Sequence, residues 1–159
     1  VVVNHARIEQ EGTPEDILQR PATAFVAGFV QGNNVFRGRV IDMQADVLGV
    51  ETPAGTFRVP LNDRVAAGGA PAVGEAASFS VRAERISDTP GDCHVNRLSA
   101  RCTAVEYFGS VRRHILQRPD GELLKYDQFG ALAPRIVPGQ SVTLGWQIED
   151  GVLHAAAAA

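Results

Sequence analysis

From residue 35 onward, apolar positions come in short runs rich in Val, Phe, Tyr and Thr, each bounded by Gly, Pro or Asp. This pattern predicts strands. The runs cover residues 35–41, 47–52, 56–60, 77–86, 98–108, 111–117, 123–126 and 141–148. Residues 77–86 alternate most cleanly, with Phe79, Val81 and Ala83 on one face and Ser78, Ser80 and Arg82 on the other. Pro53-Ala54-Gly55 and Pro119-Asp120-Gly121 are hairpin turns, because Pro fixes φ and Gly accepts the conformation that a tight turn needs. Residues 67–74 form a Gly/Ala/Pro loop, and residues 87–94 a polar connector.

The first 34 residues have a different rhythm. Val1-Val2-Val3 and Arg7-Ile8-Glu9-Gln10 read as two short strands around a tight turn. A helix start follows. Thr13 is the N-cap, and Pro14 suits the first helical position. Glu15 and Asp16 face the positive end of the helix dipole, and Asp16 completes a shortened capping box. The helix ends near Arg20, because Pro21 disfavours α geometry in the residue before it. A second helix spans residues 22–30, with Phe25, Val26, Phe29 and Val30 in one core-facing stripe. Gly32-Asn33-Asn34 reads as a C-cap and linker.

The second half of the chain resembles the first. Gly74-Glu75-Ala76-Ala77-Ser78-Phe79 aligns with Gly139-Gln140-Ser141-Val142-Thr143-Leu144 at an offset of 139 − 74 = 65. The two proline turns align at 119 − 53 = 66. That is no solenoid period. It predicts a mainly β protein, an OB-like Greek-key barrel built from two similar β units (residues 35–86 and 97–149) and preceded by the hairpin and two short helices.

Charge and composition narrow the function. The 15 Lys and Arg against 18 Asp and Glu leave a net charge of −3, with no concentrated basic face and few aromatics for base stacking, so no nucleic-acid partner is expected. The longest apolar segment, residues 25–30, is too short to span a bilayer. The first residues show neither the basic nor the apolar region of a signal peptide. Cys93 and Cys102 are spaced unlike a C-x-x-C pair and read as two free thiols. The run of five alanines from Ala155 to Ala159 is a tail without functional weight.

Arg7-Ile8-Glu9-Gln10, Gly12-Thr13-Pro14-Glu15-Asp16, Arg20-Pro21-Ala22-Thr23 and Phe25-Val26-Ala27-Gly28-Phe29 together resemble the end of an ABC-importer ATPase subunit, closest to the spermidine/putrescine branch. Val81-Arg82-Ala83-Glu84-Arg85-Ile86 is similar to the Arg-Pro-Glu strand of that family's transport-associated OB domain, with Ala83 in place of Pro. Asn96-Arg97-Leu98, Tyr107-Phe108-Gly109-Ser110 and Gly145-Trp146 are weaker matches. Ala6 stands where the family has Gly; a positive φ there costs Ala about 1 kcal/mol, unless Asn4 or His5 takes the left-handed position instead.

The resemblance implies that residues 1–34 are the tail end of a nucleotide-binding domain with linker helices, and residues 35–154 a regulatory domain. It implies a cytoplasmic protein, peripheral on the inner face of the cell membrane. The implied partners are its own nucleotide-binding domain, a second ATPase subunit as a homodimer, and transmembrane permease subunits. ATP and Mg would belong to the parent subunit and no cofactor to this stretch. The hairpin and the stripe on the second helix would pack on the ATPase domain, so that part of their apolar surface would be exposed here, or buried by a second copy or by the barrels.

The chain has no phosphate loop ending in Gly-Lys-Ser/Thr and no Leu-Ser-Gly-Gly signature, and Gly68-Gly69 lacks both the spacing and the following Lys. No catalytic residue is expected. His5, His94, His114 and His154 have no i, i+4 pairing, which predicts surface histidines and no metal site.

Two groups are candidates for binding. Gly109 and Ser110 offer a glycine turn with accessible N–H groups, and Arg112, beside Arg113, adds fixed charge suited to a small oxyanion. The alternative is a plain turn with solvated arginines. Arg82 and Glu84 would bind a ligand or partner domain, or else pair with one another or point to solvent. The function implied is regulation and assembly of an importer ATPase, for polyamines or a related small solute. The alternative is a molybdate- or sulfate-like oxyanion module.

Overall fold

The computed structural model describes residues 1–130 and 135–154. The alanine tail therefore lies outside the described residues. The chain opens with β1 (Val2–Asn4) and β2 (Arg7–Gln10), an antiparallel hairpin. Its turn needs positive φ twice, at His5 (45°) and Ala6 (62°). Ala6 therefore carries the expected penalty of about 1 kcal/mol relative to Gly.

Helix α1 (Pro14–Gln19) begins as its sequence dictates. Asp16 N–H donates to Thr13 Oγ1 at 3.2 Å, and Thr13 N–H donates to Asp16 Oδ2 at 3.1 Å. Helix α2 (Ala24–Phe29) is capped by Thr23, whose Oγ1 accepts from Val26 N–H at 3.3 Å. Its buried face differs from the expected stripe. Val26 and Ala27 are fully buried, whereas Phe25 is 40% and Phe29 70% exposed. Six residues make too short a helix for a wide stripe, and the two small side chains let the backbone lie close to the barrel.

Two curled sheets form the body. The first contains β3 (Asn33–Gln44), β4 (Val47–Thr52), β5 (Gly55–Pro60), β6 (Ala76–Arg82) and the last strand, in the order β11-β6-β3-β4-β5, where β11 is Gly151–His154. The second contains β7 (Asn96–Phe108), β8 (Val111–Gln117), β9 (Leu123–Phe129) and β10 (Ser141–Trp146), in the order β10-β7-β8-β9. Helix α3 (Asp63–Gly68) was not expected and takes up the first two residues of the loop read at residues 67–74; Asn62 caps it by accepting from Val65 N–H at 3.0 Å. Gly32-Asn33-Asn34 is no free linker, because Asn33 and Asn34 pair with Arg82 and Val81 as the first residues of β3.

The halves match in detail. Val40 N–H donates to Glu75 O (2.9 Å), and Val40 O accepts from Gly74 N–H (2.7 Å). Cys102 makes the equivalent bonds with Gln140 O and Gly139 N–H, both 2.8 Å. Each of these two strands carries a register shift there, between Val40 and Asp42 and between Cys102 and Ala104.

Each half also sends its end into the other sheet. After β6 the chain makes a 3-10 turn, Ala83–Arg85, and Ser87 bridges to Gly145 of β10. After β10 a second 3-10 turn, Ile148–Asp150, leads into β11, where Val152 lies opposite Ser80 of β6. The offsets agree, since 152 − 87 = 65 and 145 − 80 = 65. Expected strands ending at 86 and 148 are therefore broken by a turn, after which the chain changes sheet.

The shared core sits between the sheets. Trp146 packs with its ring centroid 5.6 Å from Phe36 and 5.0 Å from Phe57, and Phe79 stacks on Phe36 at 4.9 Å. All four rings are buried. One comes from the second sheet and three from the first, so the halves share their apolar interior. Arg118, from the β8–β9 turn, sits 4.6 Å over Phe36, pairs with Asp120 at 2.9 Å and donates to Val35 O at 3.2 Å.

Candidate functional site

Arg82 ends β6 and Glu84 lies in the following 3-10 turn. They form an ion pair with one another, and Arg82 Nη1 also donates to Leu18 O at 2.9 Å, tying the end of α1 to the barrel. Both side chains line a cleft of about 710 Å³ with Glu15, Arg85, Phe129 and Glu149. Glu84 and Glu149 occupy equivalent positions in the two halves, so the cleft straddles the repeat.

Gly109, Ser110 and Arg112 line a second, smaller pocket of about 280 Å³ with Tyr107, Gly130 and Arg135. Gly109 takes φ +60° at the β7–β8 turn. Arg112 is only 9% exposed, and its Nη2 donates to Gly130 O at 3.3 Å. Strand alternation turns Arg113 to the other side, where it makes a bidentate pair with Asp127, 2.7 Å for each bond, and lies 5.4 Å over Phe108. The proposed oxyanion residues thus share one pocket, while Arg82 and Glu84 line another.

The histidines depart from expectation. His114 and His154 are buried, at 1% and 3% exposure. His114 stacks on Tyr126 at 5.5 Å, and its Nε2 lies 3.3 Å from Gln128 Oε1. Burial pushes its pKa down.

His154 ends β11 beneath the linker between α1 and α2. Its Nδ1 lies 3.1 Å from Pro21 O. A carbonyl oxygen only accepts, so Nδ1 carries the proton and Nε2 presents a lone pair. Nε2 is buried without a hydrogen-bond partner. Burial pushes the imidazole pKa down to about 4, with Arg37 adding to the shift and the Pro21 bond opposing it. No sequence signal marked His154, because its burial depends on β11 crossing to the first sheet. Among the described residues, no group of three or more His, Cys, Asp or Glu is placed to hold a metal ion.

The N-terminal segment is fastened to itself and to the barrel by polar side chains. Gln10 donates to Arg20 O at 3.1 Å and accepts from Ala22 N–H at 2.8 Å. The outer face of the hairpin is apolar and open, with Val1 at 66%, Val3 at 57% and Ile8 at 65% exposure. No helix among the described residues is long and apolar enough to cross a membrane.

Two interlocked, curled sheets with a common aromatic core define an OB-type β module. Residues 79–153 match the TOBE domain family. The spermidine/putrescine import ATP-binding protein PotA of Rubrobacter xylanophilus is 33% identical over 147 residues, covering 91% of this chain and 37% of that protein. The sulfate/thiosulfate import ATP-binding protein CysA of Bacillus cereus is 46% identical over 54 residues, 34% of this chain and 15% of its own length. The chain spans little more than a third of the PotA relative it matches. The solved structure of the cytoplasmic molybdate-binding protein ModG, with molybdate bound, superposes with a TM-score of 0.69 at 15% identity, covering 80% of this chain and 99% of that one. At that identity the likeness is one of fold.

Proposed function

We propose that this chain is the regulatory and assembly part of an ABC-importer ATP-binding subunit that serves spermidine/putrescine or a related small solute. The observation that carries this reading is the 33% identity to PotA over 147 residues, 91% of this chain. In this reading residues 1–34 close a nucleotide-binding domain and residues 35–154 form the regulatory domain with its two repeats. The open apolar face of Val1, Val3 and Ile8 supports docking on that ATPase domain. The barrel pairs with a second subunit, and the permease is reached through the parent. ATP and Mg act in the parent, on the cytoplasmic side of the membrane, while this part turns over no ATP itself. Control by a ligand works through differential affinity for two arrangements of the subunits. Sedimentation of the isolated chain, with ATPase assays on the full-length subunit with and without it, tests the role. A strictly monomeric chain, together with unaltered cycling in its absence, overturns it.

A second reading, a small-oxyanion module, is favoured by one observation: Gly109, Ser110 and Arg112 share a pocket with Arg135. Calorimetric titration with molybdate, sulfate and polyamines separates the two readings.

A further inference from the structure

Helix α1 buries none of its residues. Ile17 is half-buried, and Leu18 is 40% exposed. A groove separates the helix from the barrel. Glu15, Leu18 and Gln19 face the 710 Å³ cleft that holds Arg82 and Glu84, and a second cleft of about 540 Å³ is lined by Gln19, Arg20 and Pro21. Gln19, Glu149 and Val152 line both, so the two clefts are parts of one groove at the C-terminal end of α1.

The chain on either side of α1 is fixed more firmly. Gln10, 6% exposed, donates to Arg20 O at 3.1 Å and accepts from Ala22 N–H at 2.8 Å, which closes residues 11–19 into a loop with a pinned base. His154 donates to the next carbonyl, Pro21 O, at 3.1 Å, and β2, which carries Gln10, is paired with β1. Into the loop itself, Gln10 Nε2 approaches Asp16 O only to 3.5 Å, whereas Arg82 Nη1 reaches from the barrel and donates to Leu18 O at 2.9 Å. An element with so little buried apolar surface opens at small cost, and a loop closed at its base opens without disturbing its neighbours.

We propose that residues 11–19 form a lid over this groove, hinged at the Gln10 clamp and latched by Arg82, and that the lid opens while the hairpin, α2 and the barrel stay folded. Opening frees the Arg82 Nη1 donor, leaves Arg82 to its pair with Glu84, and uncovers the groove wall of Phe129, Glu149 and Val152. The lid works within a single chain and needs neither a second subunit nor a ligand.

The test is amide hydrogen exchange on the whole 15N-labelled chain, read by NMR at low urea concentrations. Ile17 N–H, bonded to Thr13 O, and Arg20 N–H, bonded to Asp16 O, report on the lid; Ala22 N–H reports on its base, and Val40 N–H on the barrel. Ile17 and Arg20 should be protected, yet at least about a hundredfold less than Val40, and their exchange should be insensitive to urea, because the opening exposes little surface. Arg82→Leu should lower protection of Ile17 and Arg20 about tenfold, as loss of a charge-assisted hydrogen bond implies, with Ala22 and Val40 changed less. Where Arg82→Leu does not fold, Thr13→Ala, which removes the exposed N-cap, must give the same selective loss. Lid amides that exchange only with Val40, by global unfolding, overturn the proposal. So do lid amides with no protection at all, which mean a lid that is never closed, or a folded Arg82→Leu variant that leaves Ile17 and Arg20 as they were or loosens Ala22 equally.

Discussion

Asn34 grips the backbone of Lys125 with both ends of its amide: Nδ2 donates to Lys125 O at 2.8 Å, and Oδ1 accepts from Lys125 N–H at 2.7 Å. Lys125 lies on β9, the outermost strand of the second sheet, while Asn34 belongs to the first. The other half repeats the device, with Asn96 accepting from Arg58 N–H at 2.6 Å and donating to Arg58 O at 2.9 Å on the outer strand β5. Each side chain thus supplies a backbone-like partner to a sheet edge that would otherwise carry unpaired groups.

Asn34→Ala removes two hydrogen bonds and leaves a donor and an acceptor unpaired beside a residue that is 4% exposed. The expected loss is about 2–3 kcal/mol, and Asn96→Ala should cost a similar amount because its geometry is the same. Urea unfolding of the two variants checks this. A change within about 0.5 kcal/mol, the ordinary range of a surface substitution, in either one would show that the edge finds other partners.

Two glycines should respond to alanine with opposite signs. A Cβ on Gly38 would stand 2.0 Å from Glu51 O, on backbone held by the β3–β4 ladder. Gly38→Ala is expected to destabilise by about 3 kcal/mol or more, since one strand must move away from the other. A Cβ on Gly28 meets nothing within 4 Å, in the exposed part of α2. Gly28→Ala should stabilise by about 0.5–1 kcal/mol through helix propensity. Thermal melts of the pair provide the measurement, and equal signs would contradict the geometry.

These positions show where sequence reading succeeds and where it stops. The capping box of Thr13 and Asp16, the strands at residues 47–52 and 111–117, and the turns at Pro53 and Pro119 rest on contacts between near neighbours, so local pattern reveals them. The 65-residue offset was legible as well, but its consequence was not. That Ser87 and Val152 each cross to the opposite sheet depends on the meeting of distant strands. The same non-local step buries His154, and the meeting of β3 with the distant β9 turns Asn34 from a linker residue into a clamp. Gly109, Ser110 and Arg112 line one pocket, whereas Arg113 is set apart by simple alternation.

The two cysteines differ in chemistry because they differ in depth. Cys93 is exposed, while Cys102 is 1% exposed and burial pushes its thiol pKa up. A thiol-reactive disulfide reagent at pH 8 should modify one cysteine promptly in the native protein and two after denaturation. Mass spectrometry should place the native adduct on Cys93. Two fast thiols in the native state would contradict the buried position of Cys102.

His154 should make the fold acid-sensitive. Its pKa is held at about 4, below the ordinary value of 6.5, so the unfolded chain binds a proton more readily than the folded one. Stability from this group is therefore complete above pH 6.5 and is lost as pH falls towards 4. The linkage amounts to about 2 kcal/mol between pH 7 and pH 5. His114, also shifted down by burial, contributes with the same sign, and carboxylates add their own dependence at lower pH. Comparison with His154→Gln isolates the one group. Gln at this position still donates to Pro21 O but does not titrate, so the unfolding free energy of the variant should fall less steeply between pH 7 and pH 5. Urea unfolding at both pH values measures the difference, and parallel slopes for the two proteins would mean that His154 titrates normally.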